Sequence, residues 1–288
     1  MESPLTPLVR RVPAGEVSLS IREWPGAGRP FLLVHGLASN ARTWDGVGGA
    51  LSASGHRAVA VDQRGHGLSD KPETGYGFDE TSSDLRSLIE VLGLERPILA
   101  GQSWGGNVVL DFAARYPEAA SGIVLVDGGF IDLSGRPGST WETIAQQLRP
   151  PNLLGTPRAQ LVERFRSFHP TWREDQIEMQ MGNYETLEDA TIRPRLTLDH
   201  HMAILRALWD QKPSELSEQV TLPVLIAVAD SPDEERRKRR DEELERLIPK
   251  LKYAEARHFV GAPHDIHVDR PDELASWILD AVQRGFFG

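Results

Sequence analysis

Five short, uninterrupted apolar runs constrain this chain more than any other feature. They are Phe31-Leu32-Leu33-Val34, Ala58-Val59-Ala60-Val61, Ile98-Leu99-Ala100, Ile123-Val124-Leu125-Val126 and Val224-Leu225-Ile226-Ala227-Val228. None alternates with polar residues, so each is predicted to be a strand buried on both faces of a parallel sheet. Between and after them lie helical patterns: Leu85, Leu88, Ile89 and Leu92; Val108, Val109, Phe112 and Ala113; Leu274, Trp277, Ile278 and Val282. Alternating strands and helices predict an α/β fold, a mostly parallel central sheet flanked by helices. Val17-Ser18-Leu19-Ser20-Ile21 does alternate and reads as a half-buried antiparallel strand. Lys252 to Phe259 is the last strand candidate.

Residues 131–212 break this rhythm. They carry Pro150-Pro151, Pro157, Pro170 and Pro194 among amphipathic pieces, with no convincing strand. A structureless loop of that length is improbable, so a helical insertion is expected. The predicted organisation is a core of residues 1–130 and 213–288, with 131–212 as a helical cap. Asp233 to Leu247 is densely charged with opposite signs at helical spacing, which reads as a solvated helix.

Composition removes several function classes. There is no cysteine, hence no disulfide scaffold, thiolate metal site or cysteine nucleophile. Lys and Arg number 32 against 42 Asp and Glu, a net charge of −10, which is unsuited to holding a nucleic-acid backbone or an anionic membrane. No apolar run approaches the ~20 residues that span a bilayer. Met1 to Glu16 has no apolar segment of the secretory-leader kind. A cytoplasmic globular protein acting on a small molecule is the expectation.

The chemistry points to Gly101-Gln102-Ser103-Trp104-Gly105, between a predicted strand and a predicted helix. A sharp turn there lifts the Ser103 hydroxyl out of the sheet, and the helix N-terminus faces it with free N–H groups. A serine nucleophile needs a base. His264, in a loop between the last strand and the terminal helix, is the candidate; His267 is an alternative. Leu37, after His35-Gly36, and Trp104, next to the nucleophile, are the candidate oxyanion donors. Asp62-Gln63-Arg64-Gly65-His66 is read as bracing, with Asp62 against Arg64. Asp199-His200-His201 is not read as a metal site, because adjacent histidines on a helix point apart. No cluster of metal ligands is evident. Trp141, Phe165, Phe168, Trp172, Met179 and Trp209 fit either a substrate pocket or the core of the insertion.

Taken together, His35-Gly36, Asp62-x-Arg64-Gly65-x-Gly67-x-Ser69, Gly101-x-Ser103-x-Gly105-Gly106 and His264 seven residues before Pro271 make the chain resemble the α/β-hydrolase family nearly end to end. The resemblance implies a cap inserted after the strand ending near Asp127. It also implies serine chemistry of the esterase or lactonase type on an ester or lactone, with no metal and no organic cofactor. Family members that use the same frame for carbon–carbon hydrolysis, cofactor-free perhydrolysis or ligand reception stand as alternatives. The family usually carries its acid after the strand that follows the cap. Here that spacing falls on Pro232, with Asp230 too early and Asp233 one residue late. The family's other position, the end of the preceding strand, holds Asp127. Ser103, Asp127 and His264 are therefore the expected triad.

Overall fold

The structure is a computed structural model describing residues 6–288. Residues 1–5, the head of the segment read as lacking a leader, lie outside the described residues. Eleven strands follow in chain order: β1 (Leu8–Ala14), β2 (Val17–Trp24), β3 (Gly28–Val34), β4 (His56–Val61), β5 (Ile98–Gln102), β6 (Gly122–Val126), β7 (Thr156–Pro157), β8 (Tyr184–Thr186), β9 (Thr191–Pro194), β10 (Val224–Ala229) and β11 (Ala254–Phe259). Eight of them form the central sheet in the order β1-β2-β4-β3-β5-β6-β10-β11. β1–β2 and β2–β4 are antiparallel; the remaining pairs are parallel.

Every residue of β5, β6 and β10 is buried, which is what their unbroken apolar runs require. α1 (Asp45–Ala53), α2 (Phe78–Leu92) and α3 (Trp104–Arg115) connect the first strands. α4 (Trp141–Gln147), α5 (Arg158–Phe168), α6 (Glu174–Met181), α7 (Leu198–Asp210) and α8 (Pro213–Leu216) fill the stretch between β6 and β10. The chain closes with α9 (Glu234–Leu247), α10 (Ile266–Asp269) and α11 (Pro271–Gln283). Two buried clusters sandwich the sheet. One packs α2 and α3 beneath it through Leu85, Leu88, Val108 and Phe112. The other packs α1 and α11 on the opposite face through Val47, Leu51, Leu274 and Ile278.

The insertion differs from the all-helical expectation. β7, β9 and β8 pair as a small antiparallel sheet. These strands are two to four residues long, too short for an alternating pattern to register in the sequence. A separate core of Leu161, Val162, Trp172, Ile177, Met181 and Ile192 holds the region together. Among the side chains that pin it to the rest of the molecule are Asn40, Asn107 and Gln176. Asn40 Nδ2 donates to Met179 O (2.9 Å) and to Asn183 Oδ1 (2.6 Å). Asn107 Nδ2 donates to Gln211 Oε1 (2.7 Å), and Gln176 Nε2 donates to Val268 O.

Candidate active site

Ser103 sits between the last residue of β5 and the first of α3, with φ 53° and ψ −123°. A residue with a side chain rarely adopts that conformation, and such strain collects at functional turns. The strand and helix approach so closely that only glycine fits on either side. A Cβ on Gly101 would lie 2.2 Å from Gly105 O, and one on Gly105 would lie 2.4 Å from His35 O. Ser103 N–H donates to Val126 O (3.0 Å), and Ser103 O accepts from Gly106 N–H (2.9 Å). The hydroxyl has no hydrogen-bond partner among the described residues. The nucleophile–base bond is commonly loose before substrate arrives.

His264 lies in the turn after β11, and its Nδ1 is 2.6 Å from Asp127 Oδ2. Asp127 itself has φ 44°, immediately after β6. Its other oxygen accepts from Ala229 N–H (3.1 Å) and lies 3.7 Å from the Arg240 guanidinium. Desolvation pulls the His264 pKa down, but the hydrogen bond and charge of Asp127, helped by Asp265, outweigh it and hold the ring above its ordinary value. The side chain keeps 53% of its surface accessible, so solvent still reaches it. Gln102 Nε2 ties the His264 loop to the elbow through His264 O (3.4 Å) and Asp265 Oδ1 (3.3 Å).

The rival acids are occupied elsewhere. Asp230 accepts from Ser231 N–H (2.8 Å) and Gly261 N–H (3.0 Å). Asp233 caps α9 through Arg236 N–H (3.1 Å). His267 is buried against the Trp44 ring, neither of its nitrogens has a partner, and burial drives its pKa to about 3. It stays neutral without contact to Ser103 or Asp127.

Leu37 and Trp104 present amide N–H groups with no acceptor among the described residues. A Cβ on Gly36 would come 3.1 Å from Ser103 Cβ, so the Leu37 loop runs directly against the elbow. Ala38, with φ 56°, donates its N–H to His66 Nε2 (3.2 Å). His66 Nδ1 donates in turn to Arg64 O (3.0 Å), and its ring stacks on Trp104. Burial drives the His66 pKa well down, and the ring is neutral. His35 repeats the arrangement: Nδ1 donates to Gly36 O (2.7 Å) and Nε2 accepts from Gln63 N–H (3.1 Å). Two neutral imidazoles thus weld the Leu37 loop to the next one.

Asp62 does not brace Arg64, contrary to expectation. Its carboxylate accepts from Ala41 N–H (2.7 Å) and Leu68 N–H (2.9 Å), closing two loops at once. Arg64 instead forms a buried two-bond pair with Asp84 of α2, at 2.6 and 2.7 Å. Arg240 was hidden for the opposite reason. It sits in the stretch read as a solvated helix, yet its side chain keeps only 11% of its surface accessible and reaches Asp127. Only the isolated apolar positions Leu244 and Leu247 hinted that one face of α9 is covered.

His200 Nδ1 contacts Tyr76 Oη (3.0 Å), whereas His201 faces a cavity; no group of three potential metal ligands occurs among the described residues. That cavity, about 730 Å³, opens between Ala38 and His66 on the core side and residues 149–154 and 193–198 of the insertion. None of the six large side chains named from the sequence lines it. Trp172 and Phe165 belong to the core of the insertion, Trp141 and Trp209 pack against the main core, and Phe168 is exposed. Among the described residues no helix is long and apolar enough to cross a membrane.

Comparison with known proteins bears on the family and the fold. A 2-(acetamidomethylene)succinate hydrolase of Mesorhizobium japonicum is 41% identical over 118 residues, 41% of this chain and 42% of that relative. The chain spans between about a third and two fifths of the length of the curated relatives it matches. A crystal structure of E-2-(acetamidomethylene)succinate hydrolase superposes with a TM-score of 0.77 at 26% identity, covering 96% of this chain and 99% of that one. An N-formylmaleamic acid deformylase from Pseudomonas putida gives 0.72 at 22% identity, with 94% and 100% covered, and shares the fold. The family model described as the alpha/beta hydrolase fold matches residues 29–271. With that match across most of its length, and an elbow serine at the end of β5, the chain belongs to the α/β-hydrolase fold family.

Proposed function

We propose that this hydrolase works by acyl transfer through Ser103, with His264 as general base and acid and Asp127 orienting it. The observation that carries the reading is the His264–Asp127 contact of 2.6 Å beside a strained elbow serine whose hydroxyl is unengaged. Ser103 Oγ attacks a carbonyl carbon and passes its proton to His264 Nε2. The oxyanion that forms accepts hydrogen bonds from the Leu37 and Trp104 N–H groups. Collapse breaks the bond to the leaving group, which takes the proton from His264. Water, deprotonated by His264, then attacks the acyl-enzyme and regenerates Ser103. Residues 131–212 act as the cap that walls the substrate cavity.

The bond we assign is an ester or lactone C–O bond in a small cytoplasmic metabolite, with no cofactor. A second reading is an amide-type C–N bond, favoured by the acetamido group in the name of the Mesorhizobium relative. The same residues serve both; amide cleavage leans harder on protonation by His264. A fluorophosphonate probe followed by peptide mapping tests the reading. Label should fall on Ser103, and Ser103→Ala should lose several orders of magnitude in turnover of 4-nitrophenyl esters, lactones and N-acyl amides alike. Label on another serine, or full turnover by Ser103→Ala, refutes it.

A further inference from the structure

We infer that the cavity beside the Leu37 loop is a carboxylate-recognition pocket, so that the substrate is an anionic acyl compound gripped by Arg149 and Arg195. This rests on the acyl-transfer reading only for what happens to the bound molecule; the binding itself does not need it.

The chain is acidic overall, with 42 Asp and Glu against 32 Lys and Arg. The cavity wall reverses that balance. It carries Arg149, Arg193 and Arg195, and no Asp or Glu among its described residues. Most arginines in this protein are held by a carboxylate, and Arg193 is one of them, bound to Glu185 at 2.6 and 3.0 Å. Arg149 and Arg195 have no carboxylate within ion-pair distance among the described residues. Glu185, whose carboxyl is held low first by its hydrogen bond from Arg193 and only weakly by Arg195, is already engaged by Arg193. Lys71 adds positive charge close to Arg195, and its pKa is lowered, first by burial and then by that arginine.

The remaining wall fits the rest of such a molecule. Leu153, Leu154, Leu196 and Leu198 offer apolar surface for a short chain. His66 and His201 are neutral because burial holds both pKa values down, so they add no competing charge. The same wall includes Ala38, the neighbour of Leu37, and His66, whose ring stacks on Trp104, while Ser103 itself is not part of it. An anion seated on the arginines therefore shares its cavity with Ala38 and His66, the residues in contact with the two oxyanion donors. The arginine fork binds a planar carboxylate through two parallel N–H···O bonds, a match that an ammonium lacks.

Titration calorimetry on wild type and on Ser103→Ala, with the dicarboxylates from succinate to suberate and their neutral diamides, tests this. At least one dicarboxylate should bind both proteins, with the matching diamide about tenfold or more weaker. Arg149→Gln and Arg195→Gln should each weaken that dicarboxylate by about tenfold or more, and the lysine variants by less. Circular dichroism establishes that the variants are folded, which the exposure of Arg149 and partial exposure of Arg195 favour. Equal affinity for diacid and diamide, no binding by any member of the series, or unchanged affinity in both glutamine variants overturns the proposal. If Ser103 is not acylated but the diacid binds through the arginines, the acyl-transfer reading fails and the pocket stands.

Discussion

Replacing Asp127 by Asn separates the triad assignment from its rivals. The substitution keeps size and shape, and an amide oxygen can still accept from Ala229 N–H, now 3.1 Å from the carboxylate. Two things change at His264. The amide can donate to Nδ1, favouring the tautomer with the proton on Nε2, which cannot take a proton from Ser103. The negative charge that stabilises the imidazolium also disappears. At 2.6 Å and an effective dielectric of about 20, that attraction is worth about 6 kcal/mol. Partial exposure of the ring reduces it to about 4 kcal/mol, roughly a thousandfold in rate. With the tautomer effect the loss in kcat should reach ~10⁴. Arg240, 3.7 Å from the same carboxylate, is left without its counter-charge and adds to the loss. The assay is single-turnover acylation by a chromogenic ester, with the thermal midpoint expected to stay within about 5 °C of wild type. Asp230→Asn and Asp233→Asn should stay near wild type, since one carboxylate serves a turn and the other a helix cap that Asn also makes. Near-normal kcat in Asp127→Asn, with loss in either of the other two, refutes the assignment.

Because the His264 pKa lies above its ordinary 6.5, the neutral base is depleted as pH falls through that raised value. The plot of log(kcat/KM) should therefore bend downward on its acid side above pH 6.5, and chelators should leave it unchanged; a profile flat from about pH 5 to 8 contradicts this. Burial raises the Glu243 carboxyl to about 7 despite its ion pair with Arg136 at 3.2 Å. The folded state then binds more protons than the unfolded one between about pH 4.5 and 7, so stability should fall as pH rises through that window. Glu243→Gln should flatten that slope in chemical denaturation curves measured at several pH values.

The central strands were legible because burial on both faces forces unbroken apolar runs such as Val224 to Val228. β1 was not, since most of Leu8–Ala14 is exposed and its edge position demands little of its side chains. α1 carries Gly46, Gly48 and Gly49, which erase the helical pattern; a Cβ on Gly48 would press within 2.7 Å of the Trp24 ring. Ser103 stood out because its elbow requires local glycines. Arg64 and Arg240 found partners 20 and more than 100 residues away, and nothing in local spacing encodes such pairings. The cavity was unreadable for a related reason. Its wall is assembled from the Ala38 loop, His66 and three separate stretches of the insertion, none of which is distinctive alone.

Three of the pins that fasten the insertion fall beside the proposed chemistry. Asn40 lies just beyond the Leu37–Ala38 turn, Val268 just beyond the His264 turn, and Asn107 in the first turn of the elbow helix. Each anchor thus touches one of the three segments that carry the proposed chemistry. A chimera that imported residues 131–212 from another hydrolase would break all three seams together unless its new segment supplied partners for Asn40, Asn107 and the Val268 carbonyl. Under the proposed function, substrate scope is therefore not an exchangeable part. A broader or altered pocket is better sought by substitutions within the wall than by transplanting the segment that forms it.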